Sequence, residues 1–362
     1  MGRAVVIAGG GMAGMSLACA RAQHGFRGDV TLVDARTEPD IARTWCWWDV
    51  PGIAFRAVAS YRWPAWRIAG GGCEVVRRSQ RHAYLHLSGR EFFTEAERRL
   101  RGSGMRYVRG DGVVAIDETV RGAVIRCASG RTVAADVAID ARGIAPPPAG
   151  SLVQRFVGRI VRTRDPVFAP DVATLMDFQP ARDSLAHFTY VLPFARDRAL
   201  VENTRFTRGP ADDATQRADL ERYVRDVLRT TVVAVEGVEC GALPLHAAAP
   251  PLPTKHVAYA GAAGGAVRAS SGYAFVRTQR HVAALAAAIA TDAPFPVPGN
   301  TRYRALDAVL LALLSGGALH APRFFTTLFA GADPGALARF LSDASTPIDD
   351  ARVLAGWLRH TA

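Results

Sequence analysis

Residues 4–36 contain a strand, a glycine-rich turn, a helix and a second strand, in that order. The first apolar strand leads into Gly9, Gly11 and Gly14, an Ala-rich helical segment follows, and the second apolar strand ends at Asp34. In such a unit the first glycine permits a tight turn, the second lets the backbone approach a pyrophosphate, and the third lets the helix lie close to the strand. The pattern therefore predicts a Rossmann-like dinucleotide-binding fold.

The same unit predicts how the dinucleotide is held. The N-terminus of the helix offers free N–H groups and the positive end of its dipole to the phosphates. Asp34, about 20 residues after the glycines, can accept a hydrogen bond from a ribose hydroxyl. Because the motif stands at the start of the chain, it favours FAD in a two-domain flavoprotein over a nicotinamide dehydrogenase, although the spacing alone leaves both open.

Length and charge narrow the class of protein. The 362 residues suffice for two packed domains. The net charge of +11 comes from 44 Lys and Arg against 33 Asp and Glu. A basic surface can attract nucleic acid or anionic lipid, and a compositional preference for Arg explains the charge equally well. Because the arginines are scattered and no nucleic-acid motif accompanies them, we expect no nucleic-acid partner.

The cysteines show neither metal-ligand spacing nor the pattern of a disulfide framework, so we expect a reducing, cytoplasmic setting and no metal site. We also expect no cleavable signal and no membrane span, because the glycines interrupt the N-terminal apolar stretch and no apolar run approaches about 20 residues. The cysteines are Cys19, Cys46, Cys73, Cys127 and Cys240.

Composition and periodicity divide the chain. Residues 1–150 form the predicted nucleotide-binding domain, to which residues 256–295 return, and the breaker cluster Ala145–Gly150 marks the crossing. Residues 151–255 read as a second, antiparallel sheet with strands at 153–161, 172–178, 186–194 and 199–206 and an amphipathic helix at 212–228. Residues 296–362 are predicted to be mostly helical.

Further candidate cofactor-binding residues lie at the ends of predicted elements. Asp140 and Gly143 form an apolar–Asp–x–Arg–Gly corner that returns the chain to the nucleotide, and the returning segment 256–290 is a strand, a glycine turn and a long helix. The full set of these additional candidates is Arg90, Asp140, Gly143, Gly261, Gly265 and Gly272.

Glu202 is the first candidate for acid chemistry. The two-residue period of a strand places Leu200, Glu202, Thr204 and Phe206 on one face. A carboxyl between large apolar neighbours on a buried face is desolvated, which raises its pKa and lets it act as an acid near neutral pH. If that face is exposed instead, Glu202 is an ordinary strand carboxylate, and the pattern alone leaves both readings open.

Five tryptophans cluster between residues 45 and 66. Aromatic faces stabilise cations by about 2 kcal/mol or more when desolvated, whereas most buried tryptophans belong to the core. The tryptophans are Trp45, Trp47, Trp48, Trp63 and Trp66.

Several short motifs, in one order along nearly the whole chain, resemble the FAD-dependent lycopene cyclases of bacterial carotenoid synthesis. They are Arg43-Thr44-Trp45 with Asp49, Trp63-Pro64, Gln154-Arg155-Phe156-Val157-Gly158, Leu175-Met176-Asp177, Tyr190-Val191-Leu192-Pro193, Val201-Glu202-Asn203-Thr204-Arg205-Phe206, Glu239-Cys240-Gly241-Ala242-Leu243-Pro244 and Ser270-Ser271-Gly272-Tyr273.

The resemblance implies an α/β fold with a flavoprotein monooxygenase-like two-domain architecture, an antiparallel substrate sheet and C-terminal helices. It implies FAD in its reduced form, NAD(P)H as reductant, and a redox-neutral, acid-initiated closure of the acyclic end of lycopene or a related polyene to a β-ring. Glu202 matches the family's catalytic glutamate, and Glu239, Asp177 and Asp49 are further candidate catalytic carboxyls.

Departures from the family's motifs fall near the expected active site. Cys46-Trp47-Trp48 stands where the family has a His and Asp cluster, Asn203 replaces an acid, Arg205 replaces a histidine, and Arg268-Ala269 replaces His-Pro. The substrate is therefore open between lycopene, another carotenoid and a different isoprenoid. A monooxygenase or halogenase of the same architecture, and a carrier that binds a polyene unchanged, are the rival functions.

The resemblance also implies contact with a membrane, because carotenoids reside in bilayers. Residues 303–314 and the apolar positions between 324 and 329 give apolar helical faces near Arg302, Arg304 and Arg323. Such helices can lie in the interface of an anionic bilayer, so we expect a cytoplasmic protein bound to the inner face of the cell membrane. Packing of these helices on the protein's own substrate domain is the alternative.

Overall fold

The computed structural model describes residues 3–23, 28–143, 150–179, 185–209, 212–246 and 249–359. The strands are β1 (Val5–Ala8), β2 (Val30–Asp34), β3 (Thr44–Trp48), β4 (Tyr61–Trp63), β5 (Ala65–Gly70), β6 (Cys73–Arg78), β7 (Tyr84–Ser88), β8 (Arg106–Arg109), β9 (Val113–Thr119), β10 (Gly122–Cys127), β11 (Thr132–Ala135), β12 (Val137–Asp140), β13 (Val153–Thr163), β14 (Val172–Asp177), β15 (Ala186–Pro193), β16 (Arg198–Thr207), β17 (Val232–Pro244) and β18 (Val257–Tyr259). The helices are α1 (Met12–Gln23), α2 (Gly89–Leu100), α3 (Asp213–Arg222), α4 (Phe275–Thr291), α5 (Thr301–Ser315), α6 (Ala321–Gly331), α7 (Pro334–Leu341) and α8 (Pro347–Arg359).

A parallel sheet in the order β18-β12-β1-β2-β8 forms the centre of the nucleotide-binding part. It is buried on both faces, as a parallel sheet usually is. Val5 and Ile7 of β1 face α1, α2 and α4, whereas Val6 and Ala8 face the antiparallel sheet β11-β10-β9. The fully apolar first strand follows from this double burial, and the predicted strand–turn–helix–strand unit is confirmed.

The second large sheet has the order β17-β13-β16-β15-β14-β5-β6 and is antiparallel except between β14 and β5. Its strands β13 to β16 are those that the sequence predicts between residues 153 and 206. Strands β5 and β6 precede residue 150, so this sheet draws on both sides of the division made from the sequence. Residues 144–149 of the predicted crossing lie outside the described residues, and the domain bounds stay a prediction.

The two faces of this sheet are covered differently. Helix α3 and the π-helical turn after it pack on one face, where Val161, Val201 and Tyr223 are buried together. Helices α5 to α8 pack over the other face and complete a second core with Leu175 and Phe188. The C-terminal helices therefore roof the sheet face on which a substrate cavity can form.

Several strands do not follow from the sequence pattern. Strands β3 to β5 include the tryptophan-rich segment, where bulky aromatic residues mask any alternation, and β6 and β17 are the two edge strands of the large sheet. Within the described part of the chain, no helix is both long and apolar enough to cross a membrane.

Candidate active site

Two glutamates from different strands meet over β13, the strand that lies between theirs in the large sheet. Glu202 of β16 and Glu239 of β17 are both register partners of Gly158 of β13, so their side chains project from the same face. The two carboxyl groups share a hydrogen bond. Glu202 also accepts a hydrogen bond from the Thr204 hydroxyl at 3.0 Å, and Glu239 accepts one from the Thr44 hydroxyl at 2.8 Å.

The environment of this pair separates the two acids. Burial and the neighbouring charge of Glu239 raise the pKa of Glu202 well above its ordinary value, and Glu202 is only 9% exposed. Burial also raises the pKa of Glu239, but the Thr44 hydroxyl, the hydrogen bond from Glu202 and the Arg43 guanidinium favour its ionised form. The pKa of Glu202 is thus raised more strongly than that of Glu239, which favours Glu202 as the member of the pair that carries a shared proton.

The pair opens into a cavity of about 490 Å³ between the large sheet and the C-terminal helices. The cavity suits a long apolar ligand, because its walls are mostly aliphatic and aromatic with few polar groups. The shared face that the two-residue period predicts for β16 is confirmed, since Glu202, Thr204 and Phe206 all line the cavity. The remaining walls come from β3, β7, β13, β14, β15, Arg268, the segment 270–275 and helices α5 to α8.

Three tyrosine hydroxyls form a chain beside the carboxyl pair. The Tyr190 hydroxyl donates to that of Tyr84 at 2.9 Å, and the hydroxyls of Tyr84 and Tyr273 lie 3.0 Å apart. Burial raises the pKa of each phenol, so all three stay neutral. Tyr190 is also the register partner of Glu202 on β15. These residues escape prediction as site residues because they come from β7, from β15 and from the segment before α4, which lie in different sheets or outside any sheet and meet only in the folded chain.

Of the five tryptophans, Trp45 and Trp48 line the cavity. Trp48 packs edge-on against Trp66 with a 6.0 Å centroid distance and lies 4.8 Å from the ring of Tyr84. Trp47 projects from the face of β3 opposite to Trp48 and stacks on Phe275, which Trp45 on that same face also contacts. The interpretation as cation-stabilising walls therefore applies to Trp45 and Trp48, and Trp47, Trp63 and Trp66 belong to the buried core.

Asp49 and Asp177, which the sequence groups with the catalytic carboxyls, lie elsewhere. The Asp49 carboxylate accepts hydrogen bonds from the guanidinium groups of Arg56 and Arg62, both at 2.6 Å. Burial alone raises the pKa of Asp49, but these two guanidiniums outweigh burial and hold it below its ordinary value. Asp177 is 1% exposed and bonds Arg67 at 2.8 Å and the Tyr223 hydroxyl at 3.0 Å. Neither aspartate lines the cavity, and the contacts of both fit ion pairs that stabilise the fold, so their catalytic assignment stays a prediction that the geometry does not support.

The departures from the family motifs also separate by face. Asn203 and Arg205 point to the face of β16 that α3 covers, where they contact His187 and Asp219. Cys46 lines the cavity, and burial raises the pKa of its thiol, which keeps it neutral.

Arg268, which also departs from the family motif, lines the cavity as a neutralised cation. It is 2% exposed and is paired with Asp307 at 3.0 Å. Its charge is therefore balanced within the wall.

The glycine turn after β1 has the shape of a phosphate cradle. A Cβ on Gly14 would collide with the carbonyl oxygen of Gly9, and a Cβ on Gly9, whose φ is +107°, would lie 2.6 Å from the carbonyl oxygen of Ala141. A Cβ on Gly11 would meet no atom within 4 Å. The turn is therefore closely packed on the protein side and open at Gly11, which is where a pyrophosphate has to approach.

The acid at the end of β2 is held beside this turn. Asp34 is buried and accepts hydrogen bonds from the backbone N–H of Gly10 and of Arg36, both at 3.0 Å. The neighbouring β12 ends at Asp140, which pairs with Arg142 at 2.7 Å, and Gly143 follows with φ at +112°. Residues of the predicted fingerprint thus meet at the carboxyl edge of the parallel sheet, where ligands bind in such folds.

The returning segment links this edge to the cavity. Gly261, with φ at +63°, packs directly against Ala13 at the start of α1, and Gly272 lines the cavity next to Gln154. Gly265 turns the chain against Pro250. Arg90 is exposed in the first turn of α2. The cofactor-binding assignment of these four residues stays a prediction, but the first two lie where a dinucleotide would run from the glycine turn to the cavity.

Comparison with known proteins agrees with this geometry. The family described as lycopene cyclase protein matches residues 4–361. This chain belongs to the lycopene cyclase family. A curated relative, the lycopene beta-cyclase of Pseudescherichia vulneris, is 26% identical over 253 residues, which make up 67% of this chain and 62% of the relative. The match thus spans less than two thirds of that relative's length.

Several solved structures share the architecture of this chain. A geranylgeranyl bacteriochlorophyll reductase-like protein from Thermoplasma acidophilum superimposes with a TM-score of 0.62 at 15% identity, covering 99% of this chain and 96% of that one. The p-nitrophenol 4-monooxygenase of Pseudomonas putida gives a TM-score of 0.62 at 14% identity, covering 98% and 97%. The predicted monooxygenase-like α/β architecture with C-terminal helices is confirmed.

Proposed function

We propose that the protein closes the acyclic end of lycopene or a related polyene to a β-ring, in a redox-neutral reaction started by an acid. Family membership supports carotenoid cyclisation as the reaction class. The observation that carries the proposal is the pair of buried carboxyl groups, Glu202 and Glu239, in the wall of a large apolar cavity, where burial raises the pKa of both. Such a pair can both give and take a proton, which a cyclisation without net proton change requires.

The reaction follows from these groups. Glu202 protonates the terminal trisubstituted alkene and leaves a tertiary cation. The neighbouring internal double bond attacks that cation and closes a six-membered ring. An adjacent carbon then loses a proton to the now doubly ionised pair, which restores the starting protonation state. Product and substrate have the same composition, so the enzyme would act as an isomerase.

The cavity walls protect the cation between these steps. Water would trap it, and the roof of apolar helices excludes water. The faces of Trp48 and the three neutral tyrosines are electron-rich and carry no acidic proton that ionises near neutral pH. The Arg268 charge is balanced by Asp307, so this part of the wall does not repel a cation.

We propose FAD as the cofactor, kept reduced by NAD(P)H. Gly9, Gly11, Gly14 and Asp34 would hold its nucleotide part, and the segment ending at Gly272 would lead toward the cavity. The reduced ring system, when bound, supplies an electron-rich surface that stabilises positive charge.

A monooxygenase or halogenase of the same fold is the second candidate, supported by the structural likeness to a monooxygenase. Cyclisation of a non-carotenoid isoprenoid is the third, because Cys46 departs from the family motif within the cavity. A cyclase turns over without oxygen and without net reductant use, whereas the oxygenases consume both in proportion to product.

The decisive experiment is expression in a lycopene-accumulating bacterial host with chromatographic separation of the pigments. We expect lycopene to be replaced by a product of equal mass carrying one or two β-rings. The purified, flavin-loaded protein should give the same product anaerobically. Unchanged lycopene would reject this substrate, and oxygen-dependent product would favour the monooxygenase.

We also propose that the protein binds peripherally to the anionic inner face of the cell membrane. The cavity would then open toward the lipid. Val309, Leu313 and Leu354 line the cavity and are exposed, at 58%, 39% and 44%, so the rim between α5 and α8 is apolar. Arg304 and Arg352 add positive charge on the same two helices. An apolar rim with basic neighbours suits a headgroup interface.

Val309→Glu should lower binding to anionic liposomes by about tenfold, because it places a charge where an apolar side chain would enter the interface. Flotation at low salt measures the bound fraction. Val233→Glu is the matched control, since Val233 is 56% exposed on the edge strand β17. Equal binding of both variants, or absence of wild-type binding, would contradict the membrane proposal.

A further inference from the structure

A glycine stands in the middle of β13, the strand between those that carry the two glutamates. Gly158 lies within β13, which pairs along its length with β16 and β17. Glycine in a strand interior costs about 0.5–1 kcal/mol relative to alanine, and it often marks a place where other groups approach closely. The conformation of Gly158 is not among those with positive φ, so the backbone alone does not require glycine here.

The side chains that approach Gly158 include both of those that bear the carboxyl groups, together with Leu200. Glu202 and Glu239 are its register partners on either side, and their strands are separated by about 10 Å, twice the spacing of neighbouring strands. A side chain at position 158 would project from the same face, in the same row, between them. A Cβ there would lie 3.1 Å from Cγ of Glu239, 3.2 Å from Cβ of Glu202 and 3.1 Å from Cδ1 of Leu200, which can turn away because it is the end of a flexible side chain.

We propose that Gly158 is a positioning residue, whose missing side chain lets the carboxyl groups of Glu202 and Glu239 meet across β13 and share one proton. The inference rests on the proposed function for its catalytic meaning, but the geometry stands apart from it. A methyl group at position 158 would fill the space over which the carboxyls meet. It would push Glu239 aside by a few tenths of an ångström at Cγ and by more at the carboxyl group.

Separation of the pair has a defined consequence for Glu202. The neighbouring charge of Glu239 and the shared hydrogen bond both raise its pKa, in addition to burial. When Glu239 moves away, only burial keeps the acid protonated, so the pKa of Glu202 falls. Activity that needs protonated Glu202 is then lost at a lower pH than in the wild type.

The test compares Gly158→Ala with Gly237→Ala in the flavin-loaded protein. Gly237 lies on β17 near Glu239, and a Cβ there would meet only the side chain of Ile160, at 3.3 Å, within 4 Å. The infrared band of the protonated glutamic acid, assigned by its loss in Glu202→Gln, is followed as pH rises. In Gly158→Ala the band should disappear about one pH unit or more below the wild-type value, and in Gly237→Ala it should not shift.

The anaerobic cyclisation rate gives a second reading. Gly158→Ala should lower the rate about tenfold to a hundredfold, with the alkaline limb of its pH profile displaced to lower pH. A rate loss with an unchanged infrared titration would overturn the positioning role. If the wild type forms no ring at all, the proposed function fails, and the infrared titration still decides the role of Gly158.

A third variant separates the steric effect from a general loss of stability. Glu239→Ala removes the Cγ atom that the new methyl group would meet, so Gly158→Ala should destabilise the Glu239→Ala protein less than it destabilises the wild type. Urea unfolding of the four proteins measures this difference. Equal destabilisation in both backgrounds would show that position 158 does not act through Glu239 and would overturn the proposal.

Discussion

Glu202→Gln is expected to abolish ring formation, lowering the anaerobic cyclisation rate by about 10²–10⁴-fold while bound flavin is retained. The amide is similar in size to the acid and can still accept from the Thr204 hydroxyl, so the cavity keeps its shape. It has no proton acidic enough to add to an alkene. Pigment analysis in the lycopene-accumulating host and flavin absorbance of the purified variant measure the two parts of this prediction.

The same acid predicts how the cyclisation rate of the wild type changes with pH. Glu202 has a raised pKa, so its protonated form is present at low pH and is lost as pH rises through that raised value. The cyclisation rate should therefore decline as pH rises, at a pH well above the usual pKa range of a glutamic acid. The residual activity of Glu202→Gln should lack this alkaline limb.

Glu221→Gln is the matched control, because Glu221 is exposed on α3 and pairs only with Arg159 in the described part of the chain. We expect its rate and flavin content to match those of the wild type. Full cyclisation by Glu202→Gln would show that another residue is the proton donor, and Glu239 would be the first to examine. Loss of flavin from Glu202→Gln would mean instead that the substitution disturbs the fold.

Local patterns in the sequence predict the parts of the site that lie on one element. The two-residue period of β16 places Glu202, Thr204 and Phe206 on a single face, and all three line the cavity. The glycine spacing predicts the turn after β1, because Gly9 adopts a positive φ and Gly14 packs on the carbonyl oxygen of Gly9, both of which are local features. These features need no knowledge of which strands are neighbours.

Strand order determines the rest, and the sequence pattern does not show it. Glu202 and Glu239 belong to strands that never touch each other and meet only because β13 lies between them. Asp177 adjoins cavity-lining residues of β14, but it projects from the face where Arg67 and Tyr223 bind it. The tyrosine chain likewise joins three separate segments, so its function can be inferred only from the folded protein.

Gly11→Ala and Gly14→Ala should both remove flavin, but for different physical reasons. A methyl group on Gly11 meets no protein atom within 4 Å, so it occupies the space left for the pyrophosphate. We expect the apoprotein of Gly11→Ala to keep its stability within about 1 kcal/mol and to lose most of its bound flavin. A methyl group on Gly14 collides with the carbonyl oxygen of Gly9, so α1 has to move away from β1.

Gly14→Ala should therefore lower the free energy of unfolding of the apoprotein as well as its flavin content. Urea unfolding of flavin-free protein and titration with FAD separate the two effects. In the wild type, FAD should also raise the unfolding temperature, since a ligand that binds only the folded state stabilises it. If Gly11→Ala binds FAD as tightly as the wild type, the open side of this turn does not receive the pyrophosphate, and the cofactor has to enter the fold by another route.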